Sequence, residues 1–358
     1  MLRPRSVAAF LRGVSARSAA LACLPLALLA SCSSDADVVV YVAMDQVHSE
    51  AIIERFEEET GLTVKAVYDV EANKTVGLVN QIRQEADAPR CDVFWNNEIA
   101  NTVALAKDGL LAPYDSSAAA DIPAAYRDPN NAWTGFALRA RCLILNTEKL
   151  SAIEPDPTLW PDSIADLEDE RWAEHGAIAV PLTGTTLTHL AVLWDLWGEE
   201  RTRAFAEGLV ASNAAGGVDL PSGNGPLMRN VGDGAIPWGW TDTDDFNVGR
   251  VRGYPVERRF ADQGEDEMGT LVIPNTVALV ANGPNPDDAK KLIDFLLSHE
   301  VEQMLAEADS AQIPTRDAVS RPDHVPNLGD IRVMPVDWKR VGESLPQVQG
   351  ELKTIFRR

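Results

Sequence analysis

Five acidic side chains follow predicted strands of this chain, at or just after the points where those strands end. They are Asp45, Glu71, Asp242, Asp244 and Asp245. The carboxyl ends of strands in α/β proteins face the crevice in which ligands bind. Carboxylate oxygens are ligands for hard cations, and a bound cation relieves the repulsion between clustered acids. The pattern therefore predicts a cation site, although Asp244 or Asp245 could instead cap a helix.

A second polar group precedes predicted helices and is suited to an anion. Thr183 and Thr185 lie in a Thr-Gly-Thr-Thr segment directly before a helix, and Asn224 lies between two glycines at another helix start. Free backbone N–H groups and hydroxyls at such positions bind anions. Phosphate, carbonate or a ligand carboxylate would fit this segment. Ordinary helix capping by threonine is the alternative.

Two tryptophans offer a different ligand chemistry. Trp95 and Trp240 lie at predicted strand ends, close in sequence to the acidic positions. Indole faces combined with carboxylates attract ammonium groups through cation–π interaction. The sequence therefore leaves an organic cation, such as a polyamine, as the alternative ligand, and a place in the core as the alternative role of both rings.

Composition and motifs exclude several classes of function. The chain carries 54 acidic and 32 basic residues, a net charge of −22 that argues against binding nucleic acid or anionic lipid. It contains no GxSxG, GxGxxG, HExxH or CxxC sequence, and its five histidines are scattered. We therefore predict a binding protein without an enzymatic cofactor. Cys91 and Cys142 lie in apolar runs and are expected to be buried free thiols.

The amino-terminal segment predicts export. Four arginines and an apolar run from 19 to 30 precede Leu29-Ala30-Ser31-Cys32. The run is too short to span a bilayer comfortably and has the order of a secretory signal. Cys32 after Leu-Ala-Ser resembles a bacterial lipobox, in which the thiol is lipidated. We predict a lipoprotein signal peptide over 1–31, a tether over 32–37 and an extracytoplasmic, membrane-anchored protein.

Apolar strand-like runs alternate with helical periodicity along the mature chain, which predicts βαβ units around parallel sheets. We predict an α/β fold of two doubly wound lobes joined by a hinge, with a cleft between them. Residues 38–135 mainly form the first lobe and 136–270 mainly the second. Residues 271–358 supply a crossover strand, a return to the first lobe and carboxy-terminal helices, including a helix over 286–306.

The order of these segments resembles the periplasmic binding proteins of ABC importers, specifically the ferric-iron-binding branch. The resemblance rests on VYVAMDQVHSEAIIERFEEETG, DVFWNNEIANTVALAKDGLLAPY and IPNTVALVANGPNPDDAKKLIDFLLSHEVEQ, among other segments between Val38 and Arg316. It implies a type II-like binding-protein fold, an ABC permease with a separate cytoplasmic ATPase as partners, and a monomer. It also implies transport of iron(III), held together with an auxiliary anion.

The predicted site departs from this branch in one respect. Iron-binding relatives usually hold the metal with paired tyrosines after the strand that is AIPWGW here, and this chain has Thr241-Asp242-Thr243-Asp244-Asp245. We therefore expect iron(III) or another hard metal ion on carboxylates, with Asp242 and Asp45 as ligands from opposite lobes. Replacing Asp242 by Asn is then expected to weaken binding while leaving the ligand-free fold nearly intact.

Lipidation can be tested directly. The substitution Cys32→Ser should leave the protein without an acyl group and uncleaved by the lipoprotein peptidase, because the acylated thiol is lost. Intact-protein mass spectrometry and membrane fractionation measure both effects. A wild-type mature protein that begins at another residue and carries no acyl mass on Cys32 would contradict the lipobox interpretation.

Overall fold

Buried strands form the framework of the protein, as their continuous apolar sequences require. A computed structural model describes residues 36–69 and 76–357. The strands in it are β1 (Val38–Val42), β2 (Val64–Tyr68), β3 (Val93–Asn96), β4 (Leu111–Ala112), β5 (Thr134–Asn146), β6 (Gly176–Ile178), β7 (Trp238–Asp242), β8 (Val256–Arg259) and β9 (Val272–Val280). Both β5 and β9 are buried at every residue.

One long strand connects two sheet regions. The strand order is β2-β1-β3-β9-β5-β7-β6, with β4 beside β9 and β8 beside β5. Residues 134–140 of β5 pair with β9, whereas residues 141–146 pair with β7 and β8. The first region contains the parallel strands β1, β2 and β3, and β9 returns to it antiparallel to β3. The chain therefore crosses between its two α/β lobes through β5 and β9.

Helices cover these sheet regions. They are α1 (Gln46–Thr60), α2 (Val76–Gln84), α3 (Ala100–Lys107), α4 (Thr147–Ile153), α5 (Gly184–Trp197), α6 (Glu199–Ala214), α7 (Asn224–Gly232), α8 (Thr243–Val251), α9 (Pro286–Leu296), α10 (His299–Glu307) and α11 (Trp338–Phe356). The helix predicted over 286–306 is two helices. Ser298 breaks it, because its side chain caps α10 by accepting a hydrogen bond from the Val301 N–H at 3.3 Å.

The two cysteines and the amino-terminal segment were the other features on which the sequence made predictions. Cys91 and Cys142 are both buried free thiols, as expected. The signal peptide, Cys32 and Glu71 lie outside the described residues. Among the helices that the structure describes, none combines the length and the apolar character needed to cross a membrane.

The last helix packs against both lobes at close range. Helix α11 contacts α3 of the first lobe and α5 and α6 of the second. At Gly342 the helices approach so closely that a Cβ atom would lie 2.4 Å from Cγ1 of Val103. Glycine is required there by the packing of α11 on α3, since no real Cβ tolerates such a distance.

This contact predicts the effect of adding a methyl group. Gly342→Ala should lower the free energy of unfolding by about 1–3 kcal/mol, the usual cost of overpacking. Gly350→Ala is the matched control in the same helix, where a Cβ meets nothing within 4 Å. It should be neutral or stabilise by up to about 1 kcal/mol. Urea unfolding followed by circular dichroism compares the two, and equal stabilities would refute the close approach.

Candidate functional site

A polar cavity of about 150 Å³ lies where residues of both lobes meet. The first lobe contributes Asp45 and Asn97, and the second contributes most of the remaining wall. The lining is Asp45, Asn97, Arg139, Ala179, Val180, Thr183, Gly184, Thr185, Thr186, Ser222, Gly223, Asn224, Gly225, Asp242, Asp244 and Asp245. The cavity is smaller than the roughly 300–1,000 Å³ of drug-sized sites, so it suits a ligand of few atoms.

Four helices begin at this cavity. The residues that precede α1, α5, α7 and α8 all line it, and the three that carry a side chain make no capping hydrogen bond with it. These residues are Asp45, Thr183, Gly223 and Asp242. The turn into α5 depends on Gly184, whose φ of +59° is a left-handed conformation that glycine adopts readily. Helix amino termini carry partial positive charge, so their convergence favours an anionic group in the cavity.

Asp242 is the centre of a buried hydrogen-bonded cluster. Its Oδ1 accepts a hydrogen bond from Nη1 of Arg141 at 2.7 Å. Its Oδ2 accepts hydrogen bonds from the Thr185 hydroxyl and from Nδ2 of Asn224, the latter at 2.9 Å. Both side chains of the ion pair are almost completely excluded from solvent, at 0% and 2% exposure. The Asp242 carboxylate therefore lines the cavity with its negative charge balanced by Arg141. Its three hydrogen bonds hold it in place.

A second arginine compensates another carboxylate. Nη1 of Arg139 lies 3.1 Å from Oδ2 of Asp244, and the guanidinium is buried. Burial by itself would lower the pKa of Arg139, but the surrounding Asp244, Asp242 and Asp45 carboxylates raise it above its usual value. Arg139 is therefore positively charged at the cavity wall. The site contains opposite charges rather than carboxylates alone.

The structure brings most of the predicted residues to this cavity. Ligand atoms of three carboxylates lie within 4.8 Å of one another, and these belong to Asp242, Asp244 and Asp245. Asp45 faces them from the first lobe, and Thr183, Thr185 and Asn224 line the anion-binding side. Asp242 is the last residue of β7, and Asp244 and Asp245 lie in the first turn of α8.

The interpretation of the two tryptophans needs correction. Trp95 is fully buried and packs against Phe136, with ring centroids 6.0 Å apart. Trp240 is 2% exposed and packs against His189 at 5.2 Å. Neither residue lines the cavity, because each side chain points from its strand into the apolar core. The arrangement gives no support to an aromatic box around an organic cation.

Glu98 follows β3 but has a structural role. Its carboxylate accepts hydrogen bonds from the N–H groups of Ala100 at 2.7 Å and Asn101 at 3.2 Å, at the start of α3. It also accepts one from the hydroxyl of Thr188 in α5, at 2.7 Å. This buried carboxylate therefore caps a helix of the first lobe and joins it to a helix of the second.

Sequence reasoning missed both arginines of the site. They occupy alternate positions, Arg139 and Arg141, in the otherwise apolar strand segment GFALRARCLILN. A charged residue inside a buried strand is costly unless it is paired. Two of them on the same strand face were a signal that acidic partners or an anionic ligand lay opposite.

Comparison with known proteins places the chain among transport proteins. The family model of bacterial extracellular solute-binding proteins matches residues 48–303. Iron uptake protein A1 of Synechocystis sp. is 25% identical over 301 residues, covering 81% of this chain and 79% of that protein. A putative 2-aminoethylphosphonate-binding periplasmic protein of Salmonella typhi is 27% identical over 313 residues, covering 85% and 86%.

A solved structure agrees with the fold. The crystal structure of iron-bound HitA from Pseudomonas aeruginosa superposes with a TM-score of 0.77 at 21% sequence identity. The match covers 89% of this chain and 98% of that one. The predicted α/β periplasmic-binding-protein fold is confirmed by this likeness.

The buried ion pair changes the expected effect of Asp242→Asn. The substitution leaves Arg141 buried without its charge partner, so it should destabilise the ligand-free protein by about 3–5 kcal/mol. The earlier expectation of an intact fold ignored this arginine. Chemical denaturation measures the loss. The double variant Arg141→Met/Asp242→Leu should recover part of it, and an Asp242→Asn protein as stable as wild type would contradict the proposed pairing.

Proposed function

The chain belongs to the bacterial extracellular solute-binding protein family, and we propose that it delivers iron(III) or another hard metal ion, together with a small oxyanion. It is the solute-binding component of an ABC importer and not an enzyme. The observation that carries the ligand proposal is the cavity itself. Clustered carboxylates and four helix amino termini face the same small volume.

The metal ion would lie against the carboxylate side. Asp245 and Asp45 would supply oxygen atoms from the two lobes, which suits hard cations. Asp244 would contribute less, because its Oδ2 is already paired with Arg139. Because Arg141 already neutralises Asp242, that residue contributes mainly by orienting Thr185 and Asn224. Asp242 already accepts three hydrogen bonds, and a carboxylate accepts about four hydrogen bonds or metal contacts in all. It can therefore make at most one further contact.

The oxyanion would lie at the amino termini of α5 and α7. Backbone N–H groups there, the threonine hydroxyls and the charged Arg139 favour an anion such as phosphate or carbonate. The anion also balances the charge of a trivalent ion. A polyamine is disfavoured, because several ammonium groups would face helix amino termini of the same sign.

Binding of iron by tyrosinate is not part of this proposal. The chain has five tyrosines, Tyr41, Tyr68, Tyr114, Tyr126 and Tyr254, and none of them lines the cavity. Two are engaged elsewhere, since the Tyr41 hydroxyl donates to Glu85 and the Tyr114 hydroxyl donates to Asp294. A ferric complex of this protein should therefore lack the visible colour of phenolate-to-iron charge transfer.

A second candidate ligand is a small molecule that carries an amine and a phosphonate. Groups of both signs line the same cavity, with Arg139 and two helix amino termini suited to the phosphonate and the carboxylates of Asp45 and Asp245 suited to the ammonium group. One relative is described as a putative 2-aminoethylphosphonate-binding protein. Such a ligand would occupy the cation and anion positions with one molecule.

The family membership implies an ABC permease as partner. We propose a separate cytoplasmic ATPase that powers it, and an extracytoplasmic monomer held to a bacterial membrane by acylated Cys32. Tethering would keep the protein close to its permease.

Direct identification of the ligand tests the proposal. Elemental and small-molecule mass spectrometry of undialysed protein should find a metal ion with an oxyanion. Calorimetric titration with ferric citrate, with and without phosphate, should then give binding that Asp245→Asn weakens at least about tenfold, or 1.4 kcal/mol. Titration with 2-aminoethylphosphonate tests the second candidate on the same variant.

The matched control is Asp287→Asn, an exposed carboxylate at the start of α9 that lies outside the cavity. Its affinities should equal those of wild type. A purple ferric complex, or metal binding that Asp245→Asn leaves unchanged, would show that the metal is held by other residues.

A further inference from the structure

A second and larger cavity, of about 1060 Å³, lies apart from the ligand cavity and shares none of its lining residues. It is bounded by α3, by the loop over 125–133, by Leu196 near the end of α5 and by the segment 335–343 that begins α11. We call it the α3–α11 groove. Its volume matches that of sites for drug-sized organic molecules.

The wall of the α3–α11 groove is largely apolar and aromatic. Trp133 and Trp338 provide two indole rings, and Pro113 and Pro335 add further apolar surface. Leu196 is 40% exposed and is one of five large hydrophobic residues with such high exposure in the described part of the chain. Burying such surface against a ligand is favourable by roughly 25 cal/mol per Å².

The charge of the groove differs from that of the rest of the chain. Its lining contains four basic and three acidic residues, whereas the whole chain has 32 basic and 54 acidic residues. Of the four basic residues, Arg340 is paired with Asp195 at 2.9 Å and with Asp337 at 3.5 Å, whereas Lys107 and Lys339 make no ion pair within 36–69 and 76–357. The acids are partly engaged, since Asp128 accepts hydrogen bonds from the Asn130 and Ala132 N–H groups and Asp337 caps α11. Glu343 is exposed at the rim.

Arg127 gives the basic side of the groove a buried donor. Its Nη1 lies at the limit of hydrogen bonding to the Ala119 carbonyl, 3.5 Å away. Its Nε is buried without any hydrogen-bond partner in the described structure. Arg127 makes no ion pair in the described part of the chain, so the outer part of its guanidinium adds an uncompensated positive charge to the lining of the groove.

We propose that the α3–α11 groove binds an amphipathic organic anion, with an alkyl or aromatic body against Trp133 and Trp338 and its acidic group near Lys107, Arg127 and Lys339. The site is independent of the importer ligand, because the transport cavity is too small for such a molecule. Charge complementarity selects an anion over a neutral molecule of the same shape.

The intact protein is titrated with 8-anilinonaphthalene-1-sulfonate as a fluorescent probe, and then with dodecanoate and dodecanol as competitors. We expect about one equivalent of probe to bind, dodecanoate to displace it and dodecanol to bind at least tenfold more weakly. The variant Lys107→Gln/Lys339→Gln should weaken probe and dodecanoate at least fivefold. Trp338→Ala should weaken both as well, and cooperative thermal unfolding of each variant shows that it is folded.

The matched control is Lys290→Gln/Lys291→Gln, which removes two exposed lysines of α9 outside the groove. It should bind like wild type. If both lysine double variants weakened binding of the probe equally, the effect would come from net charge, and the proposal would be overturned. Failure of dodecanoate to displace the probe, or dodecanol binding as tightly as dodecanoate, would overturn it too.

Discussion

The candidate site depends on the buried ion pair between Arg141 and Asp242. Arg141 comes from the strand that crosses between the lobes, and Asp242 ends the neighbouring strand β7. Through Thr185 and Asn224 the same carboxylate holds the first turns of α5 and α7. One desolvated pair therefore fixes two strands and two helix amino termini relative to each other. Removing either charge would leave the other without compensation inside the protein.

This pair also changes the chemistry of the cavity. Four aspartates alone would repel one another and would favour a bound cation. Arg141 and Arg139 offset part of that charge, and four helix amino termini add positive potential. The result is a site in which positive and negative groups lie side by side. This mixture of charges is the reason for proposing a ligand, or a pair of ligands, that carries both signs of charge.

The two lobes are connected by strands, by a hydrogen bond and by the last helix. β5 and β9 cross between the sheet regions, and Glu98 bonds to Thr188 across them. Helix α11 packs on helices of both lobes, with Gly342 permitting its close approach to Val103. Binding-protein folds of this kind use hinge closure around their ligands. The α3–α11 groove lies beside α11, on elements of both lobes.

The sequence by itself determined the class of fold, because continuous apolar strands alternating with amphipathic helices allow few arrangements. It also located Asp45, Thr183, Thr185, Asn224 and the 242–245 acids at element ends, where side chains can reach a cleft. Only the tertiary structure decided which partners these groups have. Arg141 and Asp242 are 101 residues apart in the sequence. Only the pairing of β5 with β7 brings Nη1 of Arg141 to 2.7 Å from Oδ1 of Asp242. The pairing of β3 with β9 and of β7 with β5 likewise turns Trp95 and Trp240 into the core. Alternation along a strand predicts which residues share a face, but not what packs against that face.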